Sequence, residues 1–224
     1  MRTASPIRYE ARLVTGFAGL IPCLGLPGYA VLSRLLWADL PLVMIVTGFE
    51  IILPLTAGLS ASHLMTLETE SGFDELRRSY PEPRRRLPLL RSGAALVLMF
   101  LGAALGTITF HLLWGPFDIF AALLPSLSPA LYLTSLSLLI GGLSRSYWAA
   151  ASTVIGYWFI ELQTRGKITG ALFLFDTVWK VDDASYLLNR LLLAGLGLLF
   201  FAINAVWYAY PTIASLRRST LGTR

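Results

Sequence analysis

Charge is what this chain has least of. Only 14% of its 224 residues are Asp, Glu, Lys or Arg, where soluble domains carry about 25%, and 55% are hydrophobic. Mean hydropathy is +0.66, more than one water-soluble core needs. There is one cysteine, Cys23, which excludes an internal disulfide and a thiolate metal cluster and reads as a packing residue. Two histidines, His63 and His111, have no His-Glu-x-x-His pattern and no facing acid cluster around them. Metal chemistry therefore lacks its ligands, and both read as packing residues near the ends of apolar runs.

What the chain has instead is long stretches without Lys, Arg, Asp or Glu. An α-helix rises about 1.5 Å per residue, so roughly 20 apolar residues cross a hydrocarbon core of about 30 Å. Leu13–Ser33, Ser92–Leu113, Ile119–Ser144 and Leu191–Leu216 are uncharged, and Leu40–Leu67 is broken only by Glu50. A shorter run from Ser146 to Ile160 lengthens if Glu161 points outward. These runs predict an all-α polytopic membrane protein with one transmembrane domain over 1–224, its six spans at about 13–33, 40–66, 92–113, 119–144, 146–163 and 190–213. Membrane-barrel strands would alternate polar and apolar residues, and buried helices of a soluble protein would keep a polar face; these runs do neither. Arg2, Arg8 and Arg12 before the first run imitate a signal peptide, but the run is too long and no clear small-residue cleavage site follows. Pro22 before Cys23 likewise speaks against a lipoprotein site.

Cytoplasmic loops are enriched in Lys and Arg. With six spans, thirteen of the 18 basic residues fall on the face that holds both termini and the loop after span two. Both termini are therefore expected in the cytosol, with the chain multi-pass in the cytoplasmic membrane. The net charge of +5 and pI near 9.6 follow from that topology and from anionic headgroups. Without a soluble basic face they do not point to nucleic acid.

The longest cytosolic segment runs from Glu68 to Arg91. Ser71 can cap a short helix over about 71–80, with Asp74 three residues on, and Pro81 and Pro83 stop it. Acids gather at its start, and Arg77 and Arg78 towards its end, in the order that complements a helix dipole. Phe73, Leu76 and Tyr80 fall at i, i+3 and i+7 and give it one apolar edge. That edge could lie on the membrane, held by Arg84, Arg85 and Arg86, or dock a soluble subunit.

Six spans, internal termini and this loop resemble the permease of a type-2 ATP-binding cassette (ABC) transporter. Glu70, Gly72, Glu75, Leu76 and Pro81 match the family's loop pattern of an acid, Gly-Thr, Glu-Leu and a later Pro. Phe73 stands where Thr is usual, and Arg77 and Arg78 where the family is often apolar. A second match is Tyr186-Leu187-Leu188-Asn189-Arg190, similar to an Asn-Arg pair that often opens the family's last span.

The resemblance implies a coupling helix at about 71–80, with Glu70, Gly72, Phe73, Asp74, Glu75, Leu76, Arg77, Tyr80 and Pro81 seated on a cytosolic ATP-binding subunit. It also implies a second permease protomer, as a homo- or heterodimer in membrane lipid. The chain has no P-loop of its own: its only Gly-Lys pair, Gly166-Lys167, is followed by Ile168, and Glu161 stands where the first Gly belongs. ATP and Mg are thus expected on the partner, with no cofactor, metal or catalytic residue in this chain and no enzyme activity without that subunit. Between spans five and six, residues 164–186 carry Leu172, Phe175 and Trp179 at i, i+3 and i+7. They predict an interfacial helix with an aromatic anchor, or, by the resemblance, a re-entrant segment capping the outer mouth.

Glu50 is the one acid deep in an otherwise uncharged span, and Pro54 cannot donate to its carbonyl, which predicts a kink. A buried carboxylate in a membrane faces a partner or a wet cavity. Glu50 is accordingly a candidate for the transport path, a structural pair for Arg34 or Arg190, or a neutral acid. The function expected is an ABC exporter permease. A polytopic enzyme acting on lipid, or a non-transport immunity or sensory subunit of the same fold, are the alternatives; the first would want paired acids or a catalytic histidine near one face.

Overall fold

The computed structural model describes residues 17–37, 42–64, 66, 86–179 and 185–209. The expected coupling helix at 71–80 lies outside them. Among the described residues there are six α-helices: α1 (Phe17–Leu36), α2 (Leu42–Leu64), α3 (Arg86–Trp114), α4 (Ile119–Ser144), α5 (Tyr147–Thr164) and α6 (Tyr186–Ala209). A single 3-10 turn, Gly170–Leu172, interrupts the connection between the last two.

Four helices are long and apolar enough to cross a membrane: Leu42–Leu64, Leu89–Trp114, Ile119–Ser144 and Tyr186–Trp207. In α1 the apolar stretch is shorter, Leu20–Leu36, and α5 is an 18-residue helix that carries Glu161. The helix of span three starts earlier than its uncharged run, at Arg86, and that of span six at Tyr186. Charge ends an apolar run without ending a helix, because long basic side chains can turn to a partner or to the interface. The outward surface is strongly apolar: Phe120 is 81% exposed and Leu112 77%. Such a surface needs lipid around it.

Short connections set the order of packing. Asp118 caps α4 by accepting from the Ala121 amide at 3.1 Å, and Ser146 caps α5 by accepting from Ala149 at 3.4 Å. Between α4 and α5, Arg145 takes a left-handed conformation that lets its amide bond back to the Gly141 carbonyl. Turns this tight make consecutive helices antiparallel neighbours. Within the bundle α2 is central. It runs unbroken through Pro54 and packs most extensively along α4, which in turn packs along α6.

On one flank α3 approaches α1 through Gly102 and Gly106, four residues apart. A Cβ at Gly102 would come within 2.8 Å of the Pro22 side chain, and one at Gly106 within 2.6 Å of Leu26. This is the small-x-x-x-small spacing that lets membrane helices close on each other. Hydroxyls within α2 are satisfied locally: Thr56 bonds to the Ile52 carbonyl and Ser60 to the Thr56 carbonyl. Ser and Thr can therefore sit in an apolar interior without exposing an unmet donor.

Candidate functional site

Among the described residues, a cluster of polar contacts gathers where α5 ends and α6 begins. Arg165 closes α5 in a left-handed conformation, and Gly166 and Gly170 also have positive φ, so the helix cannot continue. Residues 165–179 then form turns rather than the interfacial helix that Leu172, Phe175 and Trp179 suggested. Phe173, Leu174 and Phe175 are buried in a cluster with Tyr132, Leu133, Val154 and Leu193. Phe175 and Trp179 do meet, edge to face at 6.0 Å, but across a turn.

Non-helical backbone inside a membrane protein must have its polar groups met by other parts of the protein. Four consecutive carbonyls show how. Asn189 Nδ2 donates to Ala171 at 2.9 Å and to Phe173 at 2.8 Å. The Tyr157 hydroxyl donates to Leu172 at 3.1 Å, and Arg190 Nη1 to Leu174 at 3.1 Å. Two neighbours on α6 and one residue on α5 thus stand in for a helix or strand ladder.

Glu50 completes the arrangement from α2. It is the ninth residue of that helix, about 12 Å from its start at about 1.5 Å per residue, and has no exposed surface. Arg190 Nη2 forms an ion pair with Glu50 Oε1 and also donates to Thr177 Oγ1 at 3.1 Å. The Thr177 amide donates to the same carboxylate oxygen at 3.2 Å. Of the two basic partners considered for Glu50, the structure takes Arg190. Arg34 instead lies over the Trp114 ring, 4.8 Å from its centroid. Arg190 itself is only 7% exposed and covers the Tyr186 ring at 5.1 Å.

The chain is a multi-pass, largely helical membrane protein. No family model matches it, and neither do any curated protein or solved structure. Among the described residues no group of three or more His, Cys, Asp and Glu could hold a metal ion. His63 meets Tyr147 edge-on at 5.9 Å, and His111 is exposed.

The residues expected of a coupling helix, Glu70 to Pro81, lie outside the described residues, so the site rests on Glu50 and on the Asn189-Arg190 pair. Two contributors are new. Tyr157 carried no signal beyond being a polar aromatic residue in a short span. Glu161 did carry one: it is an acid in the last turn of an otherwise uncharged run. It turns inward and is fully buried, rather than outward as an extended fifth span required.

Proposed function

We propose that this chain is the membrane-spanning permease subunit of an ABC exporter, working in a pair with a second permease and driven by a separate ATP-binding subunit. The observation that carries the proposal is the position of the Asn189-Arg190 pair. The resemblance singles out these two residues at the start of the last span. Both are buried, and between them they hold the carbonyls of Ala171, Phe173 and Leu174 in place. The 165–179 segment then acts as a re-entrant cap on the outer end of the path. The chain between α2 and α3 departs at the opposite end of the bundle, after Leu64 and before Arg86. A push delivered there by ATP-driven closure would travel along α2, whose Glu50 touches the cap.

Co-expression with neighbouring genes and purification in mild detergent tests the proposal. A P-loop subunit is expected to co-purify and to hydrolyse ATP. Its absence removes the exporter assignment. In a complex that does form, Glu75→Ala with Leu76→Ala should lower ATP-coupled transport roughly tenfold or more, the size of an ordinary coupling free energy. Unchanged coupling would take the 71–80 segment out of the mechanism.

A further inference from the structure

Two buried glutamates flank the 165–179 segment, and only one of them has a counter-charge. Glu50 on α2 holds Arg190 and accepts from the Thr177 amide. Glu161, in the last turn of α5, has no exposed surface, and neither of its carboxyl oxygens has a hydrogen-bond partner. Its place on α5 turns it towards the same segment. Tyr157, one turn earlier on that stripe of the helix, donates to the Leu172 carbonyl at 3.1 Å, and Leu162 packs with Phe173 and Leu174.

Among the described residues, the groups facing Glu161 are neutral: Tyr157 on its own helix, Tyr132 on α4, and Thr169 and the Leu174 amide in the segment. The nearby cations are engaged or turned away. Arg190 on α6 holds Glu50 of α2, Arg165 is exposed over the Trp179 ring at 5.6 Å, and Lys167 is exposed. Asp176, the remaining charge of the segment, is itself an acid and offers no counter-charge. An anion at Glu161 is therefore disfavoured twice. It is withdrawn from water, and it sits at the helix end whose carbonyls already carry partial negative charge. A buried acid so placed keeps its proton instead.

We propose that Glu161 is a proton-binding site, and that giving up the proton releases the 165–179 segment from α5. The anion has to reach water, and α5 is continuous helix as far as Thr164, so the turns laid over it are what gives way. Asn189 and Arg190 keep their bonds to the segment, and the release opens its α5 side alone. The seated arrangement binds one proton more than the released one, so it is favoured at low pH and weakens as pH rises. The site does not depend on the ATP-driven function proposed above.

The test uses the full chain in mild detergent. Amide hydrogen exchange of residues 165–179, corrected for the intrinsic rate of each amide, is followed between about pH 6 and about pH 8. The infrared carbonyl band of a protonated carboxyl group is recorded alongside. The wild type should show that band, and protection of the segment should fall by up to about tenfold per pH unit, the slope set by one proton, while α6 stays protected. Glu161→Gln, which keeps the shape and carries no charge, should lose the band and hold the segment equally well at every pH. Glu161→Met decides the matter in the same way if the first variant does not purify. Protection independent of pH in the wild type overturns the proposal. So does a pH dependence that persists in the variant, or a carboxyl band that the variant leaves unchanged.

Discussion

The indole N–H of Trp158 donates to the backbone carbonyl of Ile51 at 2.8 Å, joining α5 to α2 one residue beyond Glu50. Pro54 offers no N–H to the carbonyl of Glu50, so this is where the α2 backbone is least committed to its own helix. Trp158→Phe keeps most of the ring and loses the donor. We expect a cost of about 1 kcal/mol and a thermal midpoint lower by roughly 2–4 °C in detergent. An unchanged midpoint would show that the bond contributes nothing to holding α5.

Arg190→Met leaves the Glu50 carboxylate buried without its partner, which should cost about 3–5 kcal/mol. Pairing it with Glu50→Leu removes both charges and should recover the part of that loss owed to the unpaired carboxylate, while the Leu174 carbonyl still lacks its Arg190 donor. A double-mutant cycle on unfolding free energies reads the coupling directly. Glu50→Gln separates path from scaffold: it should reduce transport while the protein still purifies folded. Undiminished transport would leave Glu50 with a structural role only.

Gly106→Val places a side chain where only 2.6 Å separates a Cβ from Leu26. The α1–α3 contact must open, at about 1–3 kcal/mol for an overpacked site. Lower thermal stability with an unaltered 165–179 segment is the expected result, because α1 and α3 are remote from it. Loss of the Asn189 bonds in the same variant would contradict that separation.

Sidedness can be read with cysteine labelling in a Cys23→Ser background. Ile168 is 72% exposed at one end of the bundle, and Ser144 is exposed at the other. With both termini in the cytosol, an impermeant thiol reagent added to intact cells should label Ile168→Cys. It should reach Ser144→Cys only after permeabilisation. The reverse pattern would invert the topology and put the buried cap on the cytosolic side.

The fold was most legible where sequence chemistry marks both ends of a helix. Span four was expected at 119–144 and α4 occupies Ile119–Ser144, because Asp118 and Arg145 bracket it. At α3 and α6 the charge boundaries mislead by several residues. Arg91 and Arg190 are both buried inside the protein, so they interrupt the apolar pattern without interrupting the helix. Counting charges reads contact with lipid, and only indirectly the backbone.

Within the site, Glu50 was visible because an acid among apolar residues needs a reason, and Arg190 was one of two partners within reach. Nothing local could show that Asn189 reaches back to carbonyls 18 and 16 residues earlier. Those bonds exist only once α6 lies against the turn that precedes it. Of the two readings of 164–186, an interfacial helix or a re-entrant segment, the described part at 165–179 is not a continuous helix, because Gly166 and Gly170 take positive φ and the i, i+3, i+7 spacing of Leu172, Phe175 and Trp179 ignores the backbone between them.

The four side-chain bonds to carbonyls 171–174 also have a mechanical meaning. Three of them come from adjacent residues on one rigid helix, so a small rotation or slide of α6 would carry the attached turn with it as a single load. No helical hydrogen bond has to break for that displacement. Against such a movement stand the Tyr157 bond from α5 and the Thr177–Glu50 bond to α2, which fasten the same segment to the other helices.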